Sequence, residues 1–359
     1  FHVVVLIPDS GEVRWRFEVG YNAVVRLTAD KQILYVYNQS YSDNVTQLKG
    51  KLSAIDTRNG ESLWQAIIPG EPFGPSTRHA WLSGDEQRLY LMGSPDNLHP
   101  HIFAVDTRTG MLLNDFELTL PYPSNENQAF PQIWKLPWEE TLVVASRGQL
   151  FTFDLASGRA GETIPLFEFG PDRALRGSPL NLPLGTFVWD GALDPETRQL
   201  LLATSTQEIL AINLNTRPLT VISVVTLPTG WQYAVMQPFL YNPGEKAVYV
   251  QVRRSDALEI FGGLIVEEIW RYDTATWTQT ARLNMREPLA QIPAKADEES
   301  GELDLANYGL FLTADRQVYS FSRQGLLRLS PEPDGRLHGT WRNTGEIATK
   351  DFWLIFAIP

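Results

Sequence analysis

The chain has 359 residues and a mass of 40.5 kDa, which suits either two or three ordinary domains or one large closed all-β architecture. Hydrophobic residues make up 43% and charged residues 20%, which excludes a disordered chain, and a formal net charge of −12 disfavours a nucleic-acid partner. Because there is no cysteine, disulfides, thiolate metal sites and cysteine nucleophiles are also excluded.

The start of the chain bears on its location. No apolar run approaches the roughly 20 residues of a membrane-spanning helix, so we expect no transmembrane segment. The chain begins at Phe1, and Val3 to Ile7 already has the pattern of a buried strand. This start fits a chain whose signal segment or membrane anchor was removed or not included, so we expect an extracytoplasmic protein, periplasmic, secreted or at the cell surface. The alternative is that the sequence starts at an arbitrary boundary.

One pattern recurs about every 50 residues along the chain: an apolar strand, a short polar turn and a second strand. An Asp or Asn at the start of such a turn accepts hydrogen bonds from the next backbone amides, and a Gly at its end adopts positive φ without strain. The pattern predicts seven hairpins, whose turns end at Gly11, Gly60, Gly110, Gly158, Arg217, Trp277 and Gly325.

A second hairpin precedes most of these copies. Two hairpins per repeat predict a four-stranded antiparallel blade, and seven repeats predict an all-β fold, a seven-bladed β-propeller that forms a single domain over residues 1–359. The preceding hairpins start near Arg26, Trp81, Trp134, Gly191 and Phe239.

The two ends of the chain complete the last blade in this prediction. The segments His338–Asn343 and Phe352–Ile358 have the pattern of its first two strands, and Val3–Ile7 and Val13–Val19 that of the other two. We therefore expect the N-terminal strands to close the ring by pairing with the C-terminal strands. Removing either end should open the ring and expose strand edges.

The segment AIDTRNGESLW, Ala54 to Trp64, resembles the docking repeat of quinoprotein-like propellers, the pyrroloquinoline-quinone-repeat type. In that family the Trp packs against the neighbouring blade, and Gly11 to Trp15 is a second copy here. The resemblance implies a propeller fold, of the same general class as WD40 and YVTN propellers. The family's enzymes hold quinone and calcium beside a vicinal cysteine pair, which this chain lacks, so we expect no cofactor. Relatives that resemble amine dehydrogenase heavy chains serve as scaffolds for a catalytic partner.

One rim of the predicted propeller carries the irregular sequence. In an up-and-down blade, the connections between the second and third strands lie on the same rim as the connections between blades. Three connections between second and third strands are extended: Asn38 to Lys51, Ser94 to His101 and Arg253 to Ile265. The connections between blades are rich in proline and aromatic residues, which suits a protein-binding surface. The alternative is that these side chains only pack against the blades.

Several residues on this rim are candidates for binding. His99 and His101 are two residues apart on one extended loop, and His79 enters the same blade, so these three histidines could meet at a metal or proton-transfer site. No carboxylate follows them at metal-ligand spacing, and we predict no metal. Further candidates are the anion-binding pair Arg173 and Arg176 and the aromatic residues Trp231 and Tyr233.

The sequence therefore predicts a non-catalytic, extracytoplasmic propeller that binds a protein partner, as a scaffold or as a subunit of a larger assembly, through its long-loop rim. It predicts no catalytic residue. Two alternatives stay open. One is a propeller enzyme or enzyme subunit, either oxidoreductase-like or a lactonase-like hydrolase, with its site at the mouth of the channel. The other is a carbohydrate-binding propeller, with stacking candidates Trp81, Trp189 and Trp231.

Overall fold

The structure is a computed structural model. It describes residues 2–6, 13–20, 23–40, 48–72, 79–96, 99–118, 131–146, 148–169, 175–183, 188–227, 234–254, 268–284, 307–312, 316–322, 325–342 and 352–357. The regular elements in these ranges are all β-strands, as the composition predicts. Within the same ranges, no helix has the length and apolar character needed to cross a membrane.

By their internal contacts the residues divide into two compact units, and each is described by itself. The first unit is Phe1–Thr163 with Lys350–Pro359, and the second is Ile164–Thr349. The single domain expected over residues 1–359 stays a prediction.

The first unit holds four sheets. A three-stranded sheet has the order β2-β1-β30, and a four-stranded sheet has the order β3-β4-β5-β6. In the β7–β11 sheet, β7 and β8 both pair with β9, and β10 and β11 follow; the fourth sheet runs from β12 to β15. The strands are β1 (His2–Leu6), β2 (Val13–Glu18), β3 (Val24–Leu27), β4 (Ile33–Ser40), β5 (Lys49–Asp56), β6 (Ser62–Ile68), β7 (Glu71–Pro72), β8 (Ala80–Leu82), β9 (Arg88–Ser94), β10 (His101–Asp106), β11 (Leu112–Glu117), β12 (Gln132–Lys135), β13 (Thr141–Ser146), β14 (Gln149–Asp154), β15 (Arg159–Pro165) and β30 (Phe352–Ala357).

The second unit holds a two-stranded ribbon, β16 and β17, and three four-stranded sheets, β18–β21, β22–β25 and β26–β29. Strands adjacent in each four-stranded sheet are also adjacent in the chain, so each is a simple meander. The strands are β16 (Glu168–Phe169), β17 (Leu175–Gly177), β18 (Val188–Asp194), β19 (Gln199–Thr204), β20 (Glu208–Asn213), β21 (Thr220–Thr226), β22 (Ala234–Asn242), β23 (Ala247–Arg254), β24 (Glu268–Asp273), β25 (Gln279–Asn284), β26 (Asn307–Leu312), β27 (Val318–Ser322), β28 (Gly325–Pro331) and β29 (Leu337–Arg342).

Within each unit, the core lies between successive sheets. Side chains alternate between the two faces of a strand, so a middle strand that is covered on both faces is apolar throughout. In β4, Leu34 belongs to a cluster with Trp15 of β2, whereas the next residue, Tyr35, belongs to a cluster with Phe103 of β10. The second unit repeats this arrangement, because Val248 packs with residues of the β18–β21 sheet and Tyr249 with residues of the β26–β29 sheet.

Each four-stranded sheet has two different ends. We call the end where the first strand turns into the second, and the third into the fourth, the turn end, and we call the opposite end the loop end; the β7–β11 sheet is named in the same way. The predicted turn chemistry is confirmed at the turn end, where Gly60, Gly110 and Gly158 have φ of 77°, 73° and 69°. Trp277 takes the same conformation at φ 54°, although bulky residues rarely do.

A threonine after the turn aspartate joins the two hairpins of a sheet at the turn end. Thr57 donates through its hydroxyl to Lys31 O at 2.6 Å, and Thr107 donates to Glu86 O at 2.8 Å. Thr274 does the same in the second unit, with Lys246 O at 2.9 Å. The Asp-Thr pair of the repeat therefore serves two purposes, since Asp caps its own turn and Thr holds the neighbouring one.

The two tryptophans at the repeat offset pack onto the next sheet, as the resemblance implies. Trp15 donates from its indole nitrogen to Thr57 O at 2.7 Å, and a Cβ added to Gly60 would lie 2.9 Å from its ring. Trp64 donates to Thr107 O at 3.2 Å in the β7–β11 sheet and lies against Gly110. Only glycine leaves room for these rings while taking positive φ.

Two predictions at the C-terminal end of the chain were wrong. Gly325 does not end a turn between third and fourth strands, because β27 and β28, which it joins, are the second and third strands of their sheet. The third-to-fourth turn is the next one, with Gly335 at φ 81°. The segment that starts at His338 is accordingly the fourth strand of that sheet and not the first strand of another. Both turns contain a glycine between apolar strands, so the pattern alone does not separate them.

The pairing between the two ends of the chain also differs from the expected geometry. β1 does pair with β30, with Val3 opposite Leu354, but the two strands run parallel, whereas a regular blade would require them to be antiparallel.

Candidate functional site

The loop ends of the β3–β6 and β7–β11 sheets enclose two fully buried aromatic side chains. Tyr37 of β4 and Phe103 of β10 are both 0% exposed. The Tyr37 hydroxyl donates to Gly70 O at 2.8 Å, on the connection between the two sheets. Burial is the main cause that raises the pKa of Tyr37 well above 10, and the carboxylates of Glu71 and Asp115 add to it, so the phenol remains a hydrogen-bond donor.

Three glycines make room for these rings. A Cβ at Gly50 would lie 2.1 Å from the Tyr37 ring, and one at Gly70 would lie 2.8 Å from the Phe103 ring. A Cβ at Gly93 would lie 2.4 Å from the Tyr37 hydroxyl and 2.9 Å from the Phe103 ring. We call this arrangement, formed by Gly50, Gly70 and Gly93, the glycine slot. It fixes both aromatic rings by close backbone contact.

His101 lies directly over the slot. Its ring stacks on Phe103 with a centroid distance of 5.8 Å and an interplanar angle of 19°. Its backbone is paired with Gly93 on the adjacent strand. Its Nδ1 lies 2.6 Å from Asp115 Oδ1, and the side chain of His101 is 17% exposed. Within the part of the chain that the structure describes, Nε2 has no hydrogen-bond partner.

This geometry has a chemical consequence. A carboxylate that accepts the Nδ1–H bond holds a neutral imidazole in the tautomer whose Nε2 carries the lone pair. The partly exposed Nε2 of His101 can then accept a proton from a bound water or hydroxyl, while Asp115 stabilises the imidazolium that forms. The sequence alone indicates no carboxylate partner for His101. Asp115 lies in β11, and only the pairing of Phe103 with Asp115 brings it beside His101.

His99 forms a second, more exposed pair. Its Nδ1 lies 2.6 Å from Asp96 Oδ2, and 58% of its side chain is exposed. The hydrogen bond to Asp96 is the main cause that raises the pKa of His99 above 6.5, and Glu117 contributes more weakly. Because 58% of its side chain is exposed, against 17% for His101, the His99 ring is held less firmly than the His101 ring.

The three histidines do not form one site. Ala80 packs on the side of the β3–β6 sheet, and Trp81 packs on the side of the β12–β15 sheet. The same alternation places His79 on the side of Trp81, where Met92 N donates to its carbonyl at 2.9 Å. His101 is on the other face, with Phe103. In keeping with this, the described residues contain no group of three or more His, Asp or Glu side chains arranged to hold a metal.

The structure describes little of the other candidate binding residues. Arg173, Trp231 and Tyr233 lie outside the described residues, and for Arg176 only the backbone, in β17, is described. Among the proposed sugar-stacking residues, Trp81 is 6% exposed and belongs to the core, so it offers no face to a ligand.

Comparisons with known proteins identify the architecture. No protein-family model matches the chain, and no curated protein matches it. Two solved structures described as a "putative 6-phosphogluconolactonase" are similar to it. The protein from Bacteroides fragilis has 14% identity and a TM-score of 0.55, over 91% of this chain and 85% of that chain. The protein from Bacteroides uniformis has 14% identity and a TM-score of 0.56, over 91% and 86%.

Other similar structures come from different proteins. The β-propeller domain of Cps50 (Swd1) from Myceliophteria thermophila has 10% identity and a TM-score of 0.53, over 90% of this chain and 86% of that chain. A chain of the mitotic checkpoint complex has 10% identity and a TM-score of 0.51, over 94% and 81%. At these identities the similarity shows the fold alone. The chain has a β-propeller fold, and the quinoprotein-like subtype stays a prediction.

The main functional prediction from the sequence was wrong. We expected a non-catalytic, protein-binding scaffold, whereas the first two solved structures similar to the chain carry the name of a lactone-hydrolysing enzyme, which agrees better with the lactonase-like alternative. The reason for the error is physical. Proline and aromatic residues in rim loops suit a binding surface and an enzyme cleft equally. The histidine–carboxylate pair set over the buried aromatic rings is visible only once the strands are paired.

Proposed function

We propose that this chain is a lactonase-like hydrolase that opens a cyclic sugar ester, with His101 as general base. The observation that carries the proposal is the His101–Asp115 pair at 2.6 Å, partly exposed at the loop end and supported from below by Phe103. The names of the similar propellers from Bacteroides supply the substrate class.

The reaction follows from the geometry of the pair. His101 Nε2 removes a proton from a water molecule as the water oxygen bonds to the lactone carbonyl carbon. The ester bond between that carbon and the ring oxygen then breaks, and the imidazolium returns its proton to the departing ring oxygen. One water is consumed, and the product is the open-chain hydroxy acid, which ionises in solution. Asp115 accepts the Nδ1–H bond in both states: it selects the tautomer of the neutral ring and stabilises the imidazolium.

The test is hydrolysis of glucono-δ-lactone and of its 6-phosphate by the purified chain, corrected for the spontaneous rate. We expect His101→Asn to lower kcat about 100-fold or more, because it removes a general base. The matched control is His99→Asn, which removes the other histidine–aspartate pair and should leave kcat within about twofold. The proposal fails if neither lactone is hydrolysed above the spontaneous rate, or if His101→Asn behaves like the wild type.

Three predictions from the sequence accompany this proposal. The seven-blade count is supported by the seven sheets of three or more strands in the described ranges, and closure of the ring by the pairing of β1 with β30. Deletion of residues 352–359 tests the closure, because it should expose an edge of β1 and promote aggregation. An extracytoplasmic location is tested by fractionating cells of the native source. A protein partner is supported by the similarity to a chain of the mitotic checkpoint complex.

A further inference from the structure

We propose that Tyr37 is a positioning residue for His101, although it belongs to a different sheet and does not reach the reacting atoms. The inference rests on the role proposed for His101. Tyr37 is a fully buried phenol whose hydroxyl donates to the carbonyl of Gly70 at 2.8 Å. A buried hydroxyl placed so specifically is costly to misplace, because the carbonyl would lose its bond as well.

Two routes connect Tyr37 with His101. The first runs through the backbone, because the Tyr37 hydroxyl occupies the space over Gly93, and Gly93 is the residue paired with His101. The second runs through Phe103, which contacts Gly70 and Gly93 and supports the imidazole. Tyr37 therefore determines the position of β9 beside His101 and the tilt of the Phe103 ring on which the imidazole stacks.

The direction in which His101 Nε2 points depends on the position of β9 and on the tilt of the Phe103 ring. Asp115 fixes Nδ1, but a single hydrogen bond leaves the ring free to pivot about it. Stacking on Phe103 removes that freedom, so Nε2 has one direction relative to the loop end. A general base needs its lone pair aimed at the water to within fractions of an ångström, and a displacement of 1 Å can cost about 100-fold in rate.

The experiment compares two phenol-to-phenyl variants of one strand. Tyr37→Phe removes the hydroxyl at the loop end. Tyr35→Phe is the matched control, since Tyr35 lies two residues earlier on the same face, is 3% exposed, and donates to a backbone carbonyl, Thr107 O, at 3.4 Å. The first readout is NMR of the imidazole signals of the five histidines, with His101 assigned by its absence in His101→Asn. The second is kcat and KM for lactone hydrolysis.

We expect Tyr37→Phe to shift the His101 ring signals and to lower kcat about 10-fold with little change in KM, and Tyr35→Phe to do neither. The inference is overturned if Tyr37→Phe lowers stability but leaves the His101 signals and kcat unchanged, because Tyr37 would then be only structural. A loss of the proposed function is recognised separately, by His101→Asn retaining full activity. In that case the NMR comparison still decides whether Tyr37 positions the ring.

Discussion

At the turn end of the β7–β11 sheet, Thr107 joins two hairpins of the same sheet by a bond that recurs in the β3–β6 and β22–β25 sheets. At the loop end of that sheet, Phe103 is enclosed by Tyr37 from the neighbouring sheet and by glycines that the repeat does not contain. The turn end is thus built from repeated, local contacts and the loop end from contacts particular to one pair of sheets. Stability can be encoded by repetition, whereas a chemical site requires a departure from it.

The largest expected effect comes from the turn end. Trp15→Ala removes a side chain that is 9% exposed, leaves a cavity over Gly60 and deprives Thr57 O of its donor at 2.7 Å. We expect the free energy of unfolding, from urea denaturation, to fall by about 3–5 kcal/mol. Trp15→Phe keeps an aromatic ring and should lose less than half of that. A loss below about 1 kcal/mol for Trp15→Ala would show that repeated docking contacts do not carry the stability of the first unit.

The next effect comes from the glycine slot. Gly93→Ala places a methyl group 2.4 Å from the Tyr37 hydroxyl and 2.8 Å from Glu71 O, so a sheet must shift. We expect a loss of about 2–3 kcal/mol in the free energy of unfolding, since overpacking a rigid site costs that much. Gly84→Ala is the control, because a Cβ there meets nothing within 4 Å. Equal stabilities of the two variants would contradict the existence of a tight slot.

The smallest effect concerns acid stability at the turn end. The hydrogen bond from the Arg58 side chain is the main cause that lowers the pKa of Asp56 from 3.8 to about 2. Because the folded pKa lies below the unfolded one, this stabilisation is fully present above about pH 4 and is lost as the pH falls through about 2. Asp56→Asn should therefore flatten the decline of the unfolding midpoint in this window, measured by thermal denaturation across acid pH. An unchanged decline would mean that folding does not lower the pKa of the Asp56 carboxyl.

The difference between the turn end and the loop end also explains which features could be predicted from the sequence. The turn end was predictable because its determinants are close in sequence. Asp106 caps the turn that Gly110 ends, and the pattern recurs often enough to separate it from chance. The exception was Gly325, where two glycine turns follow one another and the pattern fits either.

The loop end was predictable only in part. His101 was found because histidine is scarce, at five residues, and lies on an extended loop. Asp115 and Tyr37 were not found, since their proximity to His101 depends on strand register and on the packing of two sheets. The sequence also does not show that His79 and His101 lie on different faces of their sheet, because this follows only from the pairing of β8 and β10 with β9. Sequence spacing within a loop does not specify on which side of a sheet a side chain lies.

The register of the middle strands has a practical consequence for protein engineering. β19 and β20 pair without a shift from Gln199 opposite Asn213 to Ala203 opposite Ile209, and only a short connection, Ser205 to Gln207, joins them. The second and third strands of the β3–β6, β7–β11 and β22–β25 sheets also pair without a shift, although their connections are longer. The strand register therefore does not follow the length of this connection. A foreign peptide inserted between Ser205 and Gln207 should be displayed on the second unit with its two ends fixed about one strand spacing, roughly 5 Å, apart. The same scaffold would then accept loops selected for new ligands.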